Sequence, residues 1–294
     1  MTVVQVQNVE KRFGSFQALN KINLQVNKGE VFGFIGPNGA GKSTTIRVLL
    51  GIIQASAGSA KIFGMDVWKE AVQIHHRIAY VPGDIHLWEN LTGGEVIDIF
   101  LRLRGKVDYK KKEKLIDLFQ LDPRKKCGTY SKGNRQKVAL IAAFASDAEL
   151  FILDEPTSGL DPLMEQVFQQ CVAEVKKNGK SVLLSSHILS EVEKLCDRVG
   201  IIRQGEMIET GTLEELSYLT RTNLKLTTNS AIKDLSEWSG IHELQKENGD
   251  YIFQVDTDKL PEIMTKLSSY GIIKIESKPP TLEDLFMRHY EQKG

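Results

Sequence analysis

Apolar and polar residues alternate along residues 2–9 and again along 19–26, the period of half-buried antiparallel strands. Val31-Phe32-Gly33-Phe34-Ile35 is then almost wholly apolar, as a strand covered on both faces must be, and a glycine-rich turn leads from it into a helical stretch over residues 41–50. Across 71–121 the apolar positions take helical spacing: Val96, Ile99, Phe100 and Leu103, then Leu115, Ile116 and Phe119. This predicts a mainly helical insertion, about residues 84–145. From Lys137 onward helix and strand alternate, with a helix to Ala145, a strand at 150–154, a helix at 163–177 and a strand at 181–185. Such alternation makes a parallel sheet with helices on both faces, an α/β architecture. After Leu219 the pattern changes to short strands at 224–226, 251–255 and 272–275, a helix at 260–267 and a last helix at 282–290. Two domains are expected, 2–218 and a small α+β appendage over 222–294.

Composition narrows the function classes. Lys plus Arg and Asp plus Glu both total 38, so the net charge is zero and no long-range field attracts polyanions; nucleic acid is not an expected partner. The basic runs at 110–112 and 124–126 stand among carboxylates and read as solvated helix faces. The longest apolar run, near 138–145, falls well short of the ~20 residues of a membrane-spanning helix. The start of the chain alternates like a strand and lacks the basic and apolar regions of a secretory signal. Cys127, Cys171 and Cys196 are odd in number and without metal-ligand spacing, which fits reduced thiols in a cytoplasmic protein.

The chemistry begins at Gly36-Pro37-Asn38-Gly39-Ala40-Gly41-Lys42-Ser43, followed by Thr44, a full phosphate-binding loop in its strand-loop-helix context. Its glycines let successive amides point at an anion, Lys42 is placed to meet the β- and γ-phosphates, and Ser43 to bind Mg²⁺. A chance glycine-rich turn would not carry Lys-Ser at that offset. Downstream, Leu150-Phe151-Ile152-Leu153 delivers Asp154 and Glu155 to the end of a buried strand, and Asp154 is the expected second Mg²⁺ holder.

Between these segments stands Ser131-Lys132-Gly133-Asn134-Arg135-Gln136, and the three together resemble the ATP-binding cassette (ABC) family of ATPases. The resemblance implies a P-loop ATPase with a mixed sheet, Glu155 as the base that activates the attacking water, and His187 as a switch beside the γ-phosphate. The other histidines, His75, His76, His86, His242 and His289, carry no such expectation. It implies that Phe13 stacks on adenine, with an ordinary core phenylalanine as the competing reading. Ser158 to Asp161 match the loop that crosses the family's dimer interface. Ser131, Gly133 and Gln136 begin a helix, near Asn134, that contacts ATP held by the other subunit. The family more often has Gly where Lys132 and Asn134 stand. It also has Gln after the strand 78–82, where this chain has Gly83 and Asp84; either Asp84 takes over part of that role or Pro82-Gly83-Asp84 is a plain turn, with Gly83 supplying an unusual backbone angle.

The resemblance covers residues 2–218 strongly, and the ending Thr281-Leu282-Glu283-Asp284-Leu285-Phe286 looks like the tail of ATPase subunits serving ABC-2 type exporters. It implies an ATP- and Mg²⁺-dependent homodimer, peripheral on the cytoplasmic face of the membrane and driving a separate permease. A soluble family member acting on ribosomes or nucleic acid is the alternative, weakened by the single set of motifs and the neutral charge. A scaffold that does not hydrolyse would not need Glu155 and His187.

Overall fold

A computed structural model describes residues 1–105, 108–217, 221–247 and 249–278. The expected last helix at 282–290, with His289, lies outside the described residues. The chain divides into two compact units, Met1–Thr210 and one starting at Gly211. That division falls earlier than the change of pattern near residue 219.

In the first unit, β1 (Thr2–Phe13) and β2 (Phe16–Asn27) form a long antiparallel hairpin, both strands extending past the alternating segments. β3 (Val31–Ile35) is buried at every position, and α1 (Lys42–Leu49) follows the glycine-rich loop. Next come β4 (Ala57–Ile62), β5 (Met65–Asp66), α2 (Ala71–His75) and β6 (Ile78–Val81). The helical insertion contains α3 (Gly93–Arg102), α4 (Tyr109–Leu118) and α5 (Lys132–Ala145). Thr92 and Glu95 close a reciprocal cap at the start of α3, and Asp108 caps α4. The remaining elements are β7 (Leu150–Asp154), α6 (Pro162–Lys177), β8 (Ser181–Ser186), α7 (Leu189–Leu195), β9 (Arg198–Arg203) and β10 (Glu206–Thr212).

These strands make two sheets. One, of four strands, runs β2-β1-β4-β5; the other, of six, runs β10-β9-β3-β8-β7-β6, with β9, β3, β8, β7 and β6 parallel. The non-sequential order places β3 and β7, which carry the loop and the paired acids, on either side of β8. Core side chains from both sheets merge in one cluster, with Val4, Leu19 and Ile62 from the first and Phe34, Ile152 and Leu183 from the second. Phe144 of α5 stacks on Phe151 of β7 at 5.7 Å and leans on Phe168 of α6 at 6.1 Å, fastening the last helix of the insertion to the sheet.

In the second unit, α8 (Leu213–Ser217) precedes a four-stranded antiparallel sheet of order β12-β13-β11-β14. Its strands are β11 (Arg221–Thr228), β12 (Ile241–Glu247), β13 (Asp250–Asp256) and β14 (Ile272–Lys278), with α9 (Leu260–Ser268) between the last two. Leu224, Leu226, Phe253 and Val255 meet Ile263 and Leu267 of α9 in a separate core. The sequence pattern misses β12, because its only buried side chain is Ile241 and the rest reads as polar loop. Antiparallel pairing with β13 supplies what alternation does not.

Candidate active site

The phosphate loop is shaped by its packing. Gly41, at φ 114°, is the N-cap of α1, and an added Cβ there would meet Leu19 at 2.8 Å. No L side chain adopts that angle without strain, so this position needs glycine. Asn38, Gly39 and Ser43 face outward, while Lys42 is 5% exposed. Its Nζ donates to the carbonyls of Gly36 at 2.6 Å and Pro37 at 3.2 Å, so the ammonium is held under the loop's rim. Burial lowers its pKa from the ordinary lysine value, with Glu155 and Asp154 pulling the other way.

Asp154 ends β7 and is buried; the Ser185 hydroxyl of β8 donates to its Oδ1. Glu155, one residue on, has φ 47°, a left-handed backbone in a residue with a full side chain. The surrounding bonds hold it there: its amide donates to the Ser185 carbonyl at 3.0 Å, and the Ser158 amide donates to its own carbonyl at 3.2 Å. The carboxylate is thereby turned toward Lys42 and His187. Glu155 Oε1 lies 3.7 Å from Lys42 Nζ and 3.4 Å from His187 Nδ1. Residues from β3's loop, β7 and β8 therefore converge on one oxygen atom. Of the other described histidines, His75 meets the Leu50 carbonyl, while His86 and His242 pair with Asp84 and Asp256.

Phe13 closes the β1–β2 hairpin and is 49% exposed, with the Lys11 ammonium 5.0 Å from its ring centroid. The competing reading as a core phenylalanine is excluded. Ser131 caps α5, accepting from the Asn134 amide at 3.3 Å, and the helix starts at Lys132, ahead of the expected Asn134. Gly133 is pressed against the Gly159 carbonyl so closely that a Cβ has no room. Lys132, at a position where the family more often has glycine, donates to the Ser158 hydroxyl at 2.6 Å.

Gln136, expected with Ser131 and Gly133 as a nucleotide contact, is 1% exposed and gives its amide to the Pro156 carbonyl at 2.7 Å. It fastens α5 to the segment after Glu155. Asp161 is committed to capping α6 through the Met164 amide at 3.0 Å, with Pro162 at the first helical position. Gly83 does not have the unusual backbone angle expected of a turn glycine, since its φ lies outside the left-handed region. A Cβ there would make a tight contact of 3.3 Å with the Asp154 carbonyl oxygen and an ordinary one of 3.7 Å with Glu155 Cβ, so Gly83 lies close against the catalytic strand end. Asp84 is strongly exposed and pairs with His86 Nε2 at 3.1 Å, two residues on, in a contact open to solvent. Sequence reasoning overlooked Glu191, buried four residues after His187; its only signal was an acid amid the apolar positions of α7.

Comparisons with known proteins give the chain a family. The family model described as ABC transporter matches residues 19–158, and one described as ATP-binding protein DrrA1-3-like, C-terminal domain, matches 211–290. The bacitracin transport ATP-binding protein BcrA of Bacillus licheniformis is 30% identical over 98% of this chain and 97% of its own. The linearmycin resistance ATP-binding protein LnrL of Bacillus subtilis is also 30% identical, over 97% of each chain. An uncharacterized ABC transporter ATP-binding protein of Synechocystis is 32% identical over 95% of this chain and 80% of its own. Among solved structures, the ATP binding subunit of an ABC transporter superposes with a TM-score of 0.69 at 30% identity, covering 74% of this chain and 92% of that one. Relatedness runs through both units, and the chain belongs to the ATP-binding proteins of ABC transporters, enzymes that bind and hydrolyse ATP.

Proposed function

We propose that this chain is the ATPase subunit of an ABC-2 type exporter, working as a homodimer on the cytoplasmic face of the membrane beside a separate permease. The observation that carries the catalytic part is the meeting of Lys42 and His187 on Glu155 Oε1. In this reading Glu155 takes a proton from the attacking water, His187 holds that carboxylate in line, and Lys42 offsets charge on the β- and γ-phosphates. Gly36, Pro37, Asn38, Gly39, Ala40, Gly41, Ser43 and Thr44 cradle the phosphates, and Phe13 offers its exposed ring to adenine. Ser131 and Gly133, at the start of α5, face the ATP of the second subunit, with Asp161 bordering the same interface.

Mg²⁺ fits the donors available, a hydroxyl at Ser43 and a carboxylate at Asp154, both hard oxygens of the kind it takes alongside phosphate. When bound it would neutralise developing phosphate charge.

The export reading rests on the relatives' names, which concern bacitracin and linearmycin, and on the DrrA-like match of the C-terminal unit. A groove of about 450 Å³ fits a permease segment: Ile52, Val72, Tyr80, Phe100 and Leu103 line it between α2, β6, α3 and the segment after α1. Its Tyr80 and Phe100 also line the adjoining pocket beside Pro82, one residue before Gly83. Phe100→Glu is expected to leave basal hydrolysis unchanged and to lower permease-stimulated hydrolysis about tenfold, because a charge there loses its water on docking. Stimulated hydrolysis unchanged in reconstituted vesicles would remove the groove from the interface.

We assign the region from about residue 222 an accessory role, since every nucleotide motif precedes it. A chain ending at Leu219, folded by circular dichroism, is expected to keep basal hydrolysis within about threefold and to lose regulation or docking. A folded truncate that binds no ATP would show instead that the tail completes the site.

A further inference from the structure

We propose that Glu191 is a positioning residue for ATP hydrolysis, a buried clasp that holds the segment after Glu155 against the segment bearing His187. This rests on the assignment of Glu155 and His187 as the hydrolytic pair. The parallel pairing of β7 with β8 ends at Asp154 opposite Ser185, one more backbone bond runs from the Glu155 amide to the Ser185 carbonyl, and His187 lies beyond it. Beyond that point Glu191, in the first turn of α7, takes over the connection. Its Oε2 accepts from the Thr157 hydroxyl at 3.2 Å and from the Ser186 hydroxyl at 3.0 Å. Ser186 Oγ in turn accepts the Ile188 amide at 3.0 Å. The network therefore grips the chain on both sides of His187, and reaches the Glu155 segment two residues past the carboxylate.

The arrangement is costly, which argues that it serves more than packing. Glu191 is 6% exposed, and its Oε1 is buried without a hydrogen-bond partner among the described residues. Burying a carboxyl with one oxygen unpaired costs stability, and such a group calls for a reason beyond packing. Burial pushes its pKa up to about 7, opposed by the two hydroxyls and helped by Glu165 of α6. Cys196, at the end of α7, is a further titratable group under its field, and no basic group contributes to the shift. The sign follows from linkage. Below the ordinary carboxylate value of 4.5 the group is neutral in folded and unfolded chains alike. As pH rises from there to about 7 the unfolded chain ionises first, so the folded state loses stability across that window. Glu191→Gln, which cannot ionise, is expected to lose less Tm than the wild type as pH rises across it.

The decisive test is steady-state hydrolysis by the full chain. Glu191→Ala is expected to lower kcat by about tenfold or more, with KM for ATP changed less than about threefold, because the phosphate loop is untouched. Glu191→Gln keeps an oxygen that can accept both hydroxyls and should recover kcat to within about threefold. Thr157→Val should lower kcat in the same direction, and adding Glu191→Ala to it should cost little more, as for two ends of one contact. Wild-type kcat in folded Glu191→Ala overturns the proposal, as does a Glu191→Gln protein that is folded yet as slow as the alanine variant. If Glu191→Ala does not fold, Thr157→Val decides, and a normal kcat there also overturns it. Glu155→Gln is measured alongside: full activity in that variant defeats the underlying catalytic assignment, whereas an inactive Glu155→Gln with normal clasp variants defeats the clasp alone.

Discussion

Glu155→Gln is expected to bind ATP and to stop nearly all hydrolysis, with kcat falling by roughly 10²–10⁴, the contribution of a positioned general base. The carboxamide has the shape of the carboxylate and the backbone bond to the Ser185 carbonyl is unaffected, so the left-handed turn should persist. What it lacks is the basicity to take a proton from water. ATP that binds and is not consumed should then hold two subunits together. Light scattering with ATP should report a dimer, and nucleotide left bound after desalting should be ATP. A monomer under those conditions would mean that Ser131 and Gly133 do not close over a second subunit's nucleotide.

Lys42→Ala is expected to weaken ATP binding about tenfold or more and to lower kcat by roughly 10²–10³, the usual cost of removing one preorganised charge partner. The expected loss has two parts. The ammonium is already desolvated beneath the loop, so its charge acts through little water and cannot be replaced by solvent without loss. Its removal also frees the carbonyls of Gly36 and Pro37 and takes away the cation beside Glu155. Titration with a fluorescent ATP analogue separates the binding loss from the turnover loss. Unchanged affinity together with unchanged turnover would show that the phosphates lie elsewhere. Lys42→Arg should not rescue, since a planar guanidinium does not fit where a point charge lies 2.6 Å from one carbonyl and 3.2 Å from the next.

The two substitutions therefore fail differently, Glu155→Gln at chemistry with binding kept and Lys42→Ala at both, and the retained ATP binding of the first is the diagnostic contrast. A structural collapse would lower affinity in Glu155→Gln as well. Thermal unfolding is the control. Glu155 is partly exposed and Gln preserves its contacts, so its Tm should move little, whereas Lys42→Ala leaves two carbonyls to find new donors and should lower Tm by a few degrees.

Residues near in the chain were legible from sequence. Gly36 to Ser43 declares its loop because amide geometry is a local property that glycine alone permits, and Asp154 with Glu155 declares a strand end because four apolar residues precede the acids. The strands of the hairpin and the helices of the insertion followed from periodicities of two and 3.6, and β3 and β7 from apolar runs, whereas β4, β5, β9 and β10 were not read from the pattern. What the sequence could not determine is which distant groups share a contact. Gln136 lies in the same hexapeptide as Ser131, yet only the packing of α5 on β7 turns its amide to Pro156. Gly83 follows Pro82 just past a strand, which reads as a turn, and only the fold shows that it lies close against the Asp154 carbonyl. Phe13 could have been core or surface until the hairpin left its ring in solvent. The meeting of Lys42, Glu155 and His187 depends on β8 inserting between β3 and β7, an order fixed by tertiary packing because strand sequence does not specify its neighbours. Glu191 was invisible for the same reason, since an acid in a short helix is ordinary until the fold buries it between Thr157 and Ser186.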